Sequence, residues 1–318
     1  MEFSGFLGNE QLKTNLSAME ARGRLGHFFL VSGPEGSGKR TLSKILSAAM
    51  LCTGNKRPCG ACSQCRKVFG NIHPDVITVD DPEKKTVTVD MVREARQQLF
   101  VRPNEGKRKI FLVPRAQLLR PEGQNALLKV LEEPPSYGVF LLLTDNPDKL
   151  LPTVRSRCVQ LSLKPLERTL LEAELRREFP LAEDLAVQSA ASRSGGYLGA
   201  AKVLLSQGED PLTASLAQAL AQRDALALTK ILVPLEKAKR EELLDHLARW
   251  HALMVDALAA RSGAQPQSRS AKLLGEAWQS RQLYAAAQAL SQAMDYARGN
   301  VSPGAICGNL RWELLRTV

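Results

Sequence analysis

Aromatic side chains are scarce: Phe, Tyr and Trp together make up 5% of the 318 residues. Proteins that hold single-stranded nucleic acid stack bases on rows of rings, so that mode of binding is not expected. Long hydrophobic runs are missing too. No apolar stretch approaches the roughly 20 residues that a membrane-spanning helix needs, so no membrane partner is expected. The opening stretch MEFSGFLGNEQL carries acids and no long apolar core, unlike a secretory signal. A cytoplasmic protein is the expectation. Acidic side chains fall short of basic ones, 33 against 43, leaving a net charge of +10. That balance suits a polyanionic partner and equally suits a generically basic surface.

Hydrophobic residues make up 44% and charged residues 24%, the proportions of a globular protein. The length gives room for two or three domains.

In the first half, short apolar runs alternate with segments of helical spacing. Gln11 to Arg22 reads as a helix, and HFFLVSG (27–33) as a strand ending at glycine. GKRTLSKILSAAMLC (38–52) places Leu42, Ile45, Leu46 and Met50 on one helical face. DVITVDD (75–81), RKIFLV (108–113), GVFLLLTD (138–145) and CVQLSL (158–163) are further strands. Between them, DMVREARQQLFV (90–101) reads as a helix with Asp90 as its cap, and GQNALLKVLEEPP as a helix stopped by Pro134 and Pro135. Such alternation predicts a parallel, doubly wound α/β sheet. After Lys164-Pro165 the strand signals stop. Residues 166 to about 206 read as short helices broken at Pro180 and Gly195-Gly196, and the rest as an alanine-rich helical region. In that region Leu243, Leu247, Trp250, Met254 and Leu258 recur at steps of three and four, and 260–270 is a loop between helices.

GPEGSGK (33–39) matches the first seven places of the phosphate-binding loop G-x-x-x-x-G-K-[ST]. In such a loop backbone N–H groups of the glycine turn surround phosphates, and the lysine reaches the outer ones. Gly33, Gly36, Gly38 and Lys39 are the candidate residues. The eighth place should carry a hydroxyl for Mg²⁺, and here it is Arg40, which has donors only and cannot ligate a metal. Thr41 comes one residue late and points about 100° away around the helix. A second defect lies at the end of the strand Ile110–Val113. Acids that hold the metal shell and orient water belong there, and Pro114-Arg115 stand in their place. Asp80 and Asp81 follow a different strand, in a context that does not fit. The loop is expected to be vestigial, with no ATP hydrolysis by this chain.

Six cysteines occur, and four of them, Cys52, Cys59, Cys62 and Cys65, fall within 14 residues. Their C-x₆-C-x₂-C-x₂-C spacing suits four thiolates around a tetrahedral Zn²⁺. A closed set of four leaves no open position, so the expected role is structural. Lys56, Arg57, Arg66 and Lys67 would offset the negative charge. His73 reads as a turn residue before Pro74, and Cys158 as a packing residue at the start of the last strand.

GRLGHFFLVSGPEGSGK (23–39), CGACSQCRKVFGNIHPDV (59–76), NALLKVLEEPP (125–135) and SRC (156–158) occur in that order. Together they resemble the clamp-loader subunits of bacterial DNA polymerase III, members of the AAA+ class. The resemblance is strong over residues 1 to 205 and continues weakly into ARGNVSPGAICGNLRWELL (297–315). Two subunit types share these marks, the ATP-hydrolysing tau/gamma and the stator delta-prime. In tau/gamma an Asp-Glu pair stands where Pro114 and Arg115 stand, and a sensing arginine lies near Gly199. Neither is found, and the chain has no long tail, so delta-prime is the closer match.

The resemblance implies an AAA+ P-loop domain over residues 1–165 with a zinc module at 52–65. It also implies a small helical lid over 166–206 and an all-α collar over 207–318. It implies a hetero-oligomeric ring with tau/gamma and delta that loads the sliding clamp onto primer–template DNA. Within that ring Arg157, the arginine of the Ser-Arg-Cys motif, reaches a neighbour's ATP site. ATP or ADP binding to the chain's own loop stays open, and Mg²⁺ is not expected there. RPNEGKRK (102–109) and the start of the GQNALLKVLEEPP helix offer phosphate contacts, or serve equally as a solvated basic surface. Two rival readings are a short gamma-like motor subunit and a stand-alone, nucleotide-regulated DNA-binding module.

Overall fold

The computed structural model describes residues 1–23, 25–81, 83, 86–299 and 301–317. Arg24 and Asn300, inside two of the quoted motif stretches, lie outside the described residues. The chain divides into two units, Met1–Leu171 with Gly195–Ala200, and Glu172–Ser194 with Ala201–Val318.

Five parallel strands form the sheet of the first unit: β1 (Phe28–Ser32), β2 (Val76–Thr78), β3 (Lys109–Val113), β4 (Gly138–Thr144) and β5 (Val159–Ser162). Their spatial order is β2-β3-β4-β1-β5. Leu30 of β1 lies opposite Leu142 of β4 on one side and Gln160 of β5 on the other. The helices of this region are α1 (Glu10–Ala21), α2 (Lys39–Leu51), α3 (Ser63–Phe69), α4 (Val89–Leu99), α5 (Pro121–Glu132) and α6 (Pro152–Arg155).

Successive strand residues face opposite sides of a sheet, and here both sides are covered. Phe29 and Val31 join Leu16 of α1 and Leu42, Ile45 and Leu46 of α2 in one core. Phe28 and Leu30 join Val92 and Leu99 of α4 and Leu127 and Val130 of α5 in the other. Every residue of β1 and β4 is therefore buried, which explains why those runs are apolar without alternation. This is the doubly wound α/β arrangement expected from the sequence.

Two details differ from the sequence reading. The strand expected over 75–81 is shorter: β2 covers Val76–Thr78, its bonds to β3 reach the Asp75 carbonyl and the Val79 N–H at 2.8 Å each, and beyond them the Asp80 side chain turns to Arg115. The α4 cap is Thr88, whose hydroxyl accepts from the Met91 N–H, while Asp90 sits in the first turn.

After β5 the chain is helical: α7 (Arg168–Glu178), α8 (Asp184–Arg193), α9 (Leu198–Gln207), α10 (Pro211–Ala221), α11 (Ala225–Leu235), α12 (Arg240–Arg261), α13 (Arg269–Ala277), α14 (Ser280–Arg298) and α15 (Pro303–Thr317). Helices α10 to α15 share one core, in which Leu243, Leu247, Trp250 and Met254 are buried and Leu258 is partly buried. The buried Trp278 indole N–H donates to the Leu220 carbonyl at 3.0 Å. No described helix is long and apolar enough to cross a membrane.

Phe140 holds the middle of the sheet. Its ring stacks on Phe111 at 4.9 Å and on Phe28 at 5.5 Å. Phe140→Ala is expected to cost about 3–5 kcal/mol through lost burial and the cavity left behind. Chemical denaturation of the full chain checks this, and a cost below about 1 kcal/mol would contradict so central a role.

Candidate functional site

The phosphate loop joins β1 to α2. Gly36 and Gly38 have φ of 75° and 94°, conformations that side chains with a Cβ rarely adopt. Gly36 is fixed by space as well, since a Cβ there would lie 2.2 Å from the Ala200 backbone nitrogen. Its carbonyl accepts from the Gly199 N–H at 2.9 Å. A Cβ on Gly199 would in turn meet that carbonyl at 2.7 Å. The position where tau/gamma relatives were expected to hold an arginine is thus packed, backbone on backbone, against the loop.

Lys39 is already bound. Its Nζ donates to the carbonyls of Gly33 at 2.5 Å and Pro34 at 2.8 Å, and to Asp145 Oδ1 at 2.5 Å. Asp145 follows β4, and its other oxygen accepts from Gln117 Nε2 at 3.1 Å. Sequence reasoning missed both Asp145 and the closeness of Gly199. The available signal for Asp145 was its place just beyond an all-apolar strand, where the sites of open α/β sheets lie.

Cations take over the metal corner. Arg40 and Thr41 are exposed in the first turn of α2. Beyond β3, Arg115 grips Asp80: Nη2 donates to Oδ1 at 2.7 Å and Nε to the two oxygens at 3.0 and 3.1 Å. Nη2 also reaches the Asp81 carbonyl at 2.7 Å. The Asp80 side chain is only 7% exposed. The acid after β2 is therefore a structural partner of the cation after β3.

Arg157 lies beyond α6. It donates to the Thr153 carbonyl at 3.1 Å and to Glu132 Oε1 at 3.3 Å, and both ion-pair partners are exposed, 41% and 58%. Exposed pairs contribute at most about 1 kcal/mol, so a stronger anion can take this guanidinium. Arg155 is bound at 2.6 Å to Asp148. Cys158, just before β5, is partly buried against the sheet core, and burial pushes its thiol up to about 12.

The four clustered cysteines meet. Their sulfurs all lie within 4.8 Å of one another, compared with about 3.8 Å between thiolates around a bound Zn²⁺. Cys52 follows α2, Cys62 caps α3 and Cys65 lies within it. Backbone N–H groups already point at the sulfurs: Gly54 and Cys59 to Cys52 at 3.3 and 3.4 Å, Cys62 to Cys59 at 3.3 Å, and Cys65 to Cys62 at 3.4 Å. Burial alone would raise the Cys62 thiol, but the N–H groups of Cys65 and Thr53 outweigh it and bring the pKa down to about 5. Burial pushes Cys65 up to about 12, the cost that a cation inside the cluster removes. The donor set fits a metal ion that prefers four thiolates.

His73 is not part of this cluster. It is a turn residue with a buried ring. Its Nδ1 accepts from the Asp75 N–H at 3.0 Å and its Nε2 contacts Gln64 Oε1. The ring is therefore neutral with its proton on Nε2, and burial lowers its pKa.

The basic stretch 102–109 is less available than its sequence suggests. Lys109 is buried and donates to the Val101 carbonyl at 3.2 Å, and Arg108 donates to the Ser136 carbonyl at 2.8 Å. Arg102 and Lys107 remain exposed. The loop is organised from inside by Asp75, fully buried, whose oxygens accept the N–H groups of Asn104 at 2.6 Å, Glu105 at 2.9 Å and Gly106 at 2.7 Å. Burial would raise the Asp75 pKa, but these three donors hold it below the usual carboxylate value.

A profile of the family described as "DNA polymerase III, delta subunit" matches residues 8–167. The DNA polymerase III subunit tau of Escherichia coli (strain K12) is 32% identical over 274 residues, covering 80% of this chain and 42% of that one. The DNA polymerase III subunit delta' of Yersinia pestis is 30% identical over 257 residues, covering 78% and 75%. The chain thus spans less than half the length of the tau subunit it matches. Among solved structures, the gamma subunit-related protein of Thermotoga maritima is 21% identical with a TM-score of 0.43, covering 96% of this chain and 99% of that one.

Because the folded-state pKa of Asp75 lies below its unfolded value, its stabilisation is present above about pH 4 and is lost as the pH falls through the folded value. Asp75→Asn is expected to destabilise the chain by roughly 2 kcal/mol or more at neutral pH, the scale of hydrogen bonds to a charged acceptor. Denaturation at several pH values should show the difference shrinking only in acid. A difference that stays constant down to about pH 3 contradicts the charge-based account.

Proposed function

Since the chain belongs to the DNA polymerase III delta subunit family, we propose that it is the delta-prime type, or stator, of a bacterial clamp loader. In this reading it joins tau/gamma and delta subunits in a cytoplasmic hetero-oligomeric ring. The ring places the sliding clamp on primer–template DNA. Residues 1–165 form its AAA+ domain, 166–206 its lid and 207–318 its collar.

The observation that carries the reading is a contrast between two cationic groups. Lys39, which a working site needs at the outer phosphates, is held by Asp145 and two carbonyls of its own loop. Arg157 is exposed, with one long ion pair to Glu132. Arg40 and Arg115 stand where metal chemistry requires a hydroxyl and acids. Gly33, Gly36, Gly38 and Lys39 thus keep the shape of a phosphate loop without its chemistry. Arg157 acts in trans, placing its guanidinium on the equatorial oxygens of a phosphoryl group in transfer at the neighbouring subunit. Primer–template DNA is held by the ring through backbone phosphates rather than base edges.

Cys52, Cys59, Cys62 and Cys65 hold one structural Zn²⁺. The ion compensates four thiolates and ties the end of α2 to α3.

Reconstitution with tau/gamma and delta subunits tests the assignment. Wild-type and Arg157→Ala chains should both enter the complex in size-exclusion chromatography. ATP turnover at the one neighbouring site should fall by roughly 10³ or more in the variant. Unchanged turnover removes the trans role. Magnesium-dependent ATP hydrolysis by the isolated chain assigns it to the motor type instead.

Metal analysis of the purified chain should find one zinc per molecule. Cys62→Ser should abolish it and lower the thermal midpoint; a wild-type value near zero rejects the zinc assignment.

A further inference from the structure

A cavity of 420 Å³ opens between α2, the segment after α3 and the edge strand β2, lined in part by Arg40, Lys44, Asn71, Thr78, Asp80 and Pro114. In a working phosphate-loop enzyme this neighbourhood of the lysine and the β3 end attracts a divalent cation, because a hydroxyl and acids converge on it. In this chain its charge is reversed. Arg40 and Lys44 sit one turn apart on the same face of α2. Among the described residues, neither side chain has an ion pair or hydrogen bond. Like charges at that spacing repel, so an anion lying between them is favoured twice, by attraction and by relief of repulsion.

The remaining polar groups agree in sign. Asn71 and Thr78 are exposed, and their side chains have no hydrogen-bond partner among the described residues, so each has a proton to donate. The one acid in the lining, Asp80, is spent on Arg115. Ser43 and Ser47 also line the cavity, but their hydroxyl protons go to the carbonyls of Arg40 and Ser43, at 2.8 Å each. What is left is two cations and two neutral donors facing a concave space, with no free acceptor charge against them.

We propose that this cavity is an anion site beside, and not within, the Gly33–Lys39 turn, built for a diphosphate-sized oxyanion. Two cations whose Cβ atoms lie about 6 Å apart along a helix present positive charge at two points and match an anion with charge at both ends better than a single phosphate. The same chemistry is offered by free pyrophosphate and by adjacent phosphates of a nucleic-acid strand. The site does not depend on the clamp-loader reading, since it rests on side chains of the isolated first unit alone.

Calorimetric titration of the full chain with inorganic pyrophosphate, at low salt and without Mg²⁺, tests it. Wild type should bind, and the double variant Arg40→Ala/Lys44→Ala should bind at least about tenfold more weakly, as loss of charge-assisted contacts demands. Zinc content and thermal unfolding must match wild type for the comparison to count, and Lys44→Gln gives a second, milder variant that should weaken binding in the same direction. A short oligothymidylate added to the pyrophosphate complex separates the sources: displacement identifies a nucleic-acid strand as the ligand, and retention identifies the free anion. Absence of pyrophosphate binding, or equal binding by wild type and both variants, overturns the proposal. Binding lost in Lys39→Ala but kept in the double variant places the anion in the phosphate loop and overturns it equally.

Discussion

A parallel sheet covered on both faces has no room for polar chemistry except where its strands end. In this chain β1 and β4 are buried at every position, and unpaired charge cannot be kept in such a layer. Polar groups therefore emerge at the strand ends. The glycine loop and Lys39 follow β1, Asp80 follows β2, Arg115 follows β3 and Asp145 follows β4. The sheet order brings these ends side by side. Their interactions are then set by which sign of charge each strand end carries.

That assortment of signs differs from the one that Mg²⁺-nucleotide chemistry requires. A site that handles Mg²⁺-nucleotide needs a free ammonium, a hydroxyl and free acids. Here the ammonium of Lys39 is taken by Asp145, and the carboxylate of Asp80 is taken by the forked guanidinium of Arg115. The Asp80 carboxylate is buried in its pair, whereas Asp145 is half-exposed in its own; both pairs lie within this one chain. Arg157, outside this cluster of strand ends, has an exposed ion pair with Glu132 and a bond to the Thr153 carbonyl.

Much of this was legible in the sequence because it depends on local chemistry. Apolar runs without alternation mark strands buried twice over, and the four-cysteine spacing brings sulfurs together through short turns alone. The sequence also showed Arg40 and Pro114-Arg115 as departures from a working site. Pairings across the fold were not legible. Lys39 and Asp145 are 106 positions apart, and Gly36 meets Gly199 through backbone atoms, which leave no signature in residue type. Asp75 looked like the first residue of a strand, yet it organises a loop some thirty residues later through three backbone N–H groups. That loop in turn hides Lys109, which the sequence counted among its surface cations. The cap of α4 went to Thr88 rather than Asp90 because the backbone turns into the helix two residues earlier.

The meeting of Gly36 and Gly199 also limits what either position can carry. A side chain at position 199 would place its first carbon 2.7 Å from the Gly36 carbonyl, so the loop would have to shift before any longer group could extend. A Cβ on Gly36 would in turn lie 2.2 Å from the Ala200 backbone nitrogen. The two glycines are interlocked: enlarging either one requires the other's segment to move.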